Sequence, residues 1–308
     1  MKLSIPQGLS RCNNRHIKAK INAKTGGPED WFTPKNMAQL GYKSFSFDFF
    51  VNWDTHKFVN CLWMKRFIDV KVSALIQDAN WKDKIVGLLK ESEGEARLLD
   101  LYTFCTTQGL HADFLIFNDA MWSTDQLIIY ARVQANGFRI KCITLETLKE
   151  KIRMGTGKAF TIGSKGLGFS TSSLECLLSK TDTPYPGDAD VVLANDNYSE
   201  FIILEFKKHN LAAPLSQQRL NNYYPRPDSA KYNRLNMLRE WLPNARLYTV
   251  YYTTDARNGT KLELNAYGGV ALGEYASLAL NSPSNKNDQE EVLDYVSQCV
   301  HFFNKPVQ

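Results

Sequence analysis

Two acids and a lysine stand on what read as neighbouring strands. Tyr185-Pro186-Gly187-Asp188-Ala189-Asp190 leads into the apolar run Val191-Val192-Leu193, and Glu205-Phe206-Lys207 follows the apolar run Phe201-Ile202-Ile203-Leu204. Between them, Asn195-Asp196-Asn197-Tyr198-Ser199 is turn material. A hairpin about that turn sets Asp190 opposite Glu205, with Cβ atoms roughly 5 Å apart. Side chains alternate along a strand, so Glu205 and Lys207 share a face and Phe206 points away. Two carboxylates this close repel unless a cation lies between them, and carboxylate oxygens suit a hard divalent ion such as Mg2+. Such an ion neutralises a phosphate and acidifies a bound water, while a lysine on the same face orients that water and stabilises developing charge. The chemistry to expect is phosphodiester hydrolysis. Asp190, Glu205 and Lys207 are the catalytic candidates; Asp190 and Glu205 would hold Mg2+, with Mn2+ as a substitute.

An acid beginning one strand and an acid-x-Lys triplet on the next resemble the PD-(D/E)xK nuclease superfamily. The resemblance covers roughly residues 170 to 255. Gly187 interrupts the Pro-Asp pair, which leaves the first ligand open between Asp190 and Asp188. Asp190 is preferred because it directly precedes the apolar run and opposes Glu205. The resemblance implies an α/β fold, a restriction-endonuclease-like core with a central mixed sheet flanked by helices; the alternation of strands and helices before it adds an N-terminal α/β region. The resemblance also implies a Mg2+-dependent endonuclease of restriction type, acting on double-stranded DNA, leaving 5′-phosphates and working as a homodimer. Glu175, on the helix before the first catalytic strand, becomes a candidate third metal ligand. Two alternatives stay open: a catalytically silent nucleic-acid-binding protein of the same fold, and a nuclease for RNA or for structured or single-stranded DNA.

The elements that must position these residues can be read from periodicity. Phe45 to Val51, Phe67 to Val72, Asp113 to Phe117, Phe138 to Ile143 and Arg246 to Tyr252 read as strands. Trp81 to Leu89, Glu93 to Phe104, Ser123 to Ala135 and Thr144 to Met154 read as helices. Ser170 to Lys180, Leu215 to Tyr224, Asp228 to Leu242 and Gln289 to Phe303 are further helices, and Asn258-Gly259 marks a hairpin. Residues 1 to 44 read as a basic, irregular arm, and no internal repeat is visible. Five glycines between Gly155 and Gly168 suggest a hinge or substrate-tracking loop and a boundary. The expected division is therefore 1–154, 155–270 and 271–308, with the first part recognising or clamping DNA. A nucleotide-binding loop fails on spacing, since Ile152 and Ala159 stand where Gly and Ser/Thr are needed.

The formal charge of +5 is unevenly spread. Residues 1–43 hold eight Lys/Arg against Glu29 and Asp30, and residues 207–246 hold eight against Asp228 and Glu240. Two basic stretches, one adjoining the acid pair, suit a polyanion. Lys158, Lys165, Lys208, Arg226, Lys231 and Arg234 are the nucleic-acid-binding candidates, with Lys231, Arg234 and Arg239 on the outward side of their helix. The six cysteines form no C-x-x-C pair, and the five histidines lack zinc-hydrolase spacing. Reduced thiols in a cytoplasmic protein are the expectation, with no signal peptide and no membrane span.

Overall fold

A computed structural model describes residues 1–6, 8–120, 122, 126–159, 161, 166–210, 213–224, 228–254, 259–268 and 271–305. The elements begin with β1 (Leu3–Ser4), β2 (Ser10–Arg11), β3 (Asn14–Lys18), α1 (Pro28–Trp31), α2 (Pro34–Ala38), β4 (Lys43–Asn52) and β5 (Lys57–Ile68). They continue with α3 (Val72–Leu75), α4 (Trp81–Glu93), α5 (Glu95–Thr107), β6 (His111–Phe117), β7 (Leu127–Gln134), β8 (Gly137–Thr144) and α6 (Leu145–Thr156). The remainder is β9 (Phe169–Ser170), α7 (Ser173–Leu178), β10 (Gly187–Ala194), β11 (Phe201–Lys208), α8 (Ser229–Trp241), β12 (Ala245–Tyr252), β13 (Gly259–Gly268), β14 (Ala271–Asn281) and α9 (Gln289–Phe303). These form a mixed α/β protein of two units. Met1–Ala19 with Phe47–Gly187 make the first, and Lys20–Ser46 with Asp188–Gln308 the second.

In the first unit β5 pairs antiparallel with β4 and parallel with β6, and β6, β7 and β8 continue as an antiparallel meander. The parallel step needs a crossover, supplied by α3, α4 and α5. Alternation places Phe47, Phe49, Leu62, Met64 and Phe114 on one face, and all five are buried. Phe47 stacks on Phe104 of α5 at 6.1 Å. The opposite face buries Trp63, Leu115 and Tyr130 against Leu148 and Ile152 of α6 and Leu174 and Leu178 of α7. Two glycines of the expected hinge serve this packing. Gly155 lets Phe50 approach, since a Cβ there would lie 2.8 Å from the ring. Gly157, at φ +80°, ends α6 in the left-handed conformation, its N–H donating to the Arg153 carbonyl at 3.0 Å. Lys165 lies outside the described residues.

The second unit repeats that strand plan. β10 pairs antiparallel with β11, β11 runs parallel to β12, and β12, β13 and β14 form the meander. Here α8 lies in the crossover. The face away from it buries Val191, Leu204 and Val250 against Trp31, Phe32 and Met37 of the α1–α2 region and Val292, Tyr295 and Phe303 of α9. The repeat is one of topology, which explains why no repeated residues betray it.

Several expectations are corrected. Residues 127–134 form strand β7, not helix. Leu-Ile-Ile-Tyr-Ala-Arg-Val-Gln is rich in β-branched and aromatic residues, and Asn136-Gly137 belongs to a hairpin turn joining β7 to β8. Residues 123–125 lie outside the described ones. Leu215 to Tyr224 holds only two short 3-10 turns, Leu215–Gln217 and Leu220–Asn222. The basic arm is partly ordered: Lys20–Ser46 contributes α1 and α2 to the second unit, so the expected boundaries at 154 and 270 do not divide the molecule. Cys12 and Cys176, 164 residues apart, form a disulfide. Pairing of β2 with β9 brings them together, a proximity that spacing along the chain cannot reveal. Disulfides belong to oxidising compartments, so the thiol argument for a cytoplasmic setting no longer holds. Among the described residues no helix is long and apolar enough to cross a membrane.

Candidate active site

β11 has a neighbour on each side, and its apolar run fills the sheet interior. The ladder pairs Val191 with Leu204, which sets Asp190 opposite Glu205 at its end. The Phe206 N–H donates to Asp190 Oδ2 at 2.6 Å, fixing that carboxylate against the strand. Glu205 is fully buried and Lys207 Nζ lies 3.2 Å from its Oε1. Phe206 faces the other way and stacks on Phe32 at 6.0 Å. The acid, acid and lysine therefore converge as the sequence indicates.

Helix α8 completes the cluster. Lys231 Nζ sits 2.8 Å from Glu205 Oε2 and 3.3 Å from Asp188 Oδ1. Asp228 stands at the N-cap of α8 but makes no side-chain cap bond; its Oδ2 instead accepts from Lys207 Nζ at 2.7 Å. The rings of Tyr223 and Tyr232 flank the Lys207 ammonium at 5.2 and 5.5 Å. Asp188, with 54% of its side chain exposed, opens the cluster to solvent.

The charges are strongly coupled. Burial, then the charges of Glu205 and Asp188, push the Asp190 carboxyl well above the usual carboxylate range, against the pull of Lys231. Burial works against the Lys231 ammonium, yet Asp188, Asp190 and Glu205 together raise it well above the usual lysine value. Lys207 likewise is disfavoured by burial but held up by Glu205, with Asp228 adding to the effect. Burial lowers the Arg234 guanidinium while Asp188 and Glu205 oppose it, and its buried Nε has no hydrogen-bond partner. Both Glu205 oxygens are buried and accept no hydrogen bond of good geometry. Lys207 and Lys231 reach them at 3.2 and 2.8 Å as charge partners.

No protein-family model matches this chain, and no curated protein matches it significantly. The site rests on its own geometry.

Asp190, Glu205, Lys207 and Asp188 share the second unit. Glu175 does not: it lies in the first, where it closes a capping box with Ser172 and pairs with Lys65, which also reaches Asp48 at 3.1 Å. Lys158, also of the first unit, pairs with Asp54 at 3.3 Å. Lys208 is exposed and donates to the Lys20 carbonyl at 3.1 Å. Arg226 lies outside the described residues. Lys231 and Arg234, expected on the outward side of their helix, instead reach toward the acids, because long side chains near the start of α8 can extend to the strand end below. Asp228 and Tyr232 carry no site signal in the sequence pattern; the fold brings both to Lys207.

A second cluster stands in the first unit. One ligand atom each from Cys61, His111 and Asp113 lies within 4.8 Å of the others. Asp113 is already committed, accepting from Arg132 at 2.8 and 2.9 Å and from the Tyr130 hydroxyl. Cys61 Sγ donates to it at 3.2 Å, and burial with Asp113 pushes the thiol far above its usual value. Metals bind the thiolate, so this set fits a hydrogen-bonded polar cluster better than a metal centre.

Proposed function

We propose that the second unit is a divalent-metal-dependent nuclease of the restriction-endonuclease-like kind, hydrolysing phosphodiester bonds of double-stranded DNA. One observation supports this most: Asp190 and Glu205 oppose each other at the end of an inner, otherwise apolar ladder, with Lys207 3.2 Å from Glu205. Charges in that position need a partner. The donors fit a hard cation: Glu205 offers two buried oxygens that lack good hydrogen bonds, and ionised Asp190 is opposed by its acidic neighbours.

Asp190 and Glu205 would hold the ion, with Asp188 at the rim. When bound, Mg2+ neutralises charge on the phosphate and acidifies a water. Lys207, fixed between Glu205 and Asp228 and flanked by two tyrosine rings, orients the water and meets developing charge. Lys231 balances the charge of Glu205 and Asp188 and would have to move off Glu205 where a cation is bound. Arg234 adds positive charge for the phosphate.

A second reading has one observation in its favour: the Lys231 ammonium already lies among the three acids. A chain in which lysine replaces the metal permanently would bind nucleic acid without cutting it. Plasmid incubated with Mg2+ separates the two. The nuclease reading expects cleavage by the wild type and none by Asp190→Ala; the same slow rate for both proteins would refute it, and uncut but bound DNA would favour the second.

A further inference from the structure

The first unit gathers cations around one aromatic ring. Arg132 and Arg139 face each other directly across the β7–β8 ladder, and Tyr130 faces Lys141 on the same side. Lys141 Nζ lies 5.4 Å from the centre of the Tyr130 ring, and Lys151 Nζ, from α6, lies 4.8 Å from it. His111 on β6 is close enough that, after burial, Arg132 and then Lys151 depress its basicity, with Asp113 opposing. Arg139 and Lys141 are exposed. Asp113 is the acid that touches the group; it is fully buried and held by Arg132 through two hydrogen bonds. Slight desolvation, followed by repulsion from Lys151, Arg139 and Arg132, lowers the affinity of the exposed Lys141 ammonium for its proton.

Asp113 offsets the charge of Arg132, but Arg139, Lys141 and Lys151 pair with no acid among the described residues. Like charges directly opposite on paired strands are destabilising, yet Arg132 faces Arg139, with two lysines beside them. An anionic partner would relieve the repulsion. Guanidinium groups match phosphate oxygens in a planar fork, and lysines supply point charges along a backbone. Contacts of this sort position a polyanion without reading its sequence.

We propose that Arg132, Arg139, Lys141 and Lys151 form a binding face for the phosphodiester backbone of nucleic acid. This rests on the nuclease reading for its role, which is to hold the substrate that the acidic site of the second unit cuts. It gives the first unit a surface of its own, separate from the basic stretches evident in the sequence.

The test is fluorescence anisotropy with a labelled DNA duplex, in EDTA, over a series of salt concentrations. Arg139→Ser/Lys141→Ser is compared with wild type and with the charge-keeping pair Arg139→Lys/Lys141→Arg. The serine pair should weaken binding about tenfold or more and lower the slope of log affinity against log salt by about 2. The charge-keeping pair should bind nearly as wild type, which separates charge from misfolding. Unchanged affinity and slope in the serine pair would overturn the proposal, as would wild-type binding to polyglutamate but not to DNA. Plasmid cleavage is scored in parallel. A chain that loses DNA affinity in the serine pair but never cuts keeps this face and loses the nuclease. One that cuts, with an unaltered KM in the serine pair, keeps the nuclease and loses the face.

Discussion

Both units are built on one strand plan, but their crossover-helix faces differ. In the first, Phe47, Phe49, Leu62 and Met64 fill that face, and its buried ion pair, Arg66 with Glu93, is closed by two hydrogen bonds at 2.6 and 2.8 Å. In the second, the ladder ends in Asp190, Glu205 and Lys207, and the helix adds Lys231. The strand order therefore sets where a site can stand, and the side chains on one face decide whether one is there. The contrast extends to burial. A closed pair such as Arg66–Glu93 supports a fold. A cluster of four acids and two ammoniums, with Glu205 poorly hydrogen-bonded, is a costly way to fill a core.

That contrast can be broken by exchanging what each face loses. Glu205→Ala should lower cleavage by a factor on the order of 10³ or more, since it removes one of the two carboxylates proposed to hold the ion. Met64→Ala in the first unit should instead cost about 2–5 kcal/mol of stability, read by denaturant unfolding, with cleavage per folded molecule unaltered. If Glu205→Ala matched Met64→Ala, both faces would be merely structural. Lys231→Met sharpens the comparison further. Removing one partner of a buried charge cluster costs roughly 3–5 kcal/mol, and Mn2+ should restore much of it by replacing the lost charge. A melt that stays low in Mn2+ would speak for lysine as the permanent cation. Lys207→Ala should reduce kcat about 10²-fold and leave KM nearly unchanged, if its ammonium acts on developing charge.

The smallest effect is a pH dependence that runs in opposite directions in the two units. Asp190 has a raised folded pKa. Its contribution to stability is fully present below its unfolded value, about 3.9, and is lost as pH rises through the folded one. Burial raises Glu93, but Arg66 outweighs it and the net shift is down. Its contribution is present above its unfolded value, about 4.3, and is lost as pH falls through the folded one. Because a proton on Asp190 competes with a metal, Mn2+ affinity should climb with pH by up to about tenfold per unit before levelling off. Calorimetric titration at several pH values checks this, and a flat profile would remove Asp190 from the ligand set.

Short-range pattern made the acid hairpin legible. Apolar runs, turn formers and alternation were enough to oppose Asp190 to Glu205 and to put Lys207 beside Glu205. Helical spacing likewise puts Tyr232, Leu235 and Leu238 on one side of α8, with Leu242 at its C-cap, and all four are buried. What the pattern could not convey depends on contacts between distant segments. Lys231 looks like a solvated helix residue until its helix is laid over the strand end. Glu175 is near the motif in sequence but belongs to the other unit, and Cys12 meets Cys176 only through a strand pairing. β7 is ambiguous in the sequence because Asn136-Gly137 suits a helix stop as well as the hairpin turn it belongs to.

Everything depends on whether a doubly charged cation enters the acid cluster of the second unit. A crystal soaked in Mn2+ and measured at the manganese edge answers this directly. An anomalous peak is expected at the carboxylates of Asp190 and Glu205, with Lys231 moved off Glu205. Lys231 still seated on Glu205, with no peak there at saturating Mn2+, would contradict it.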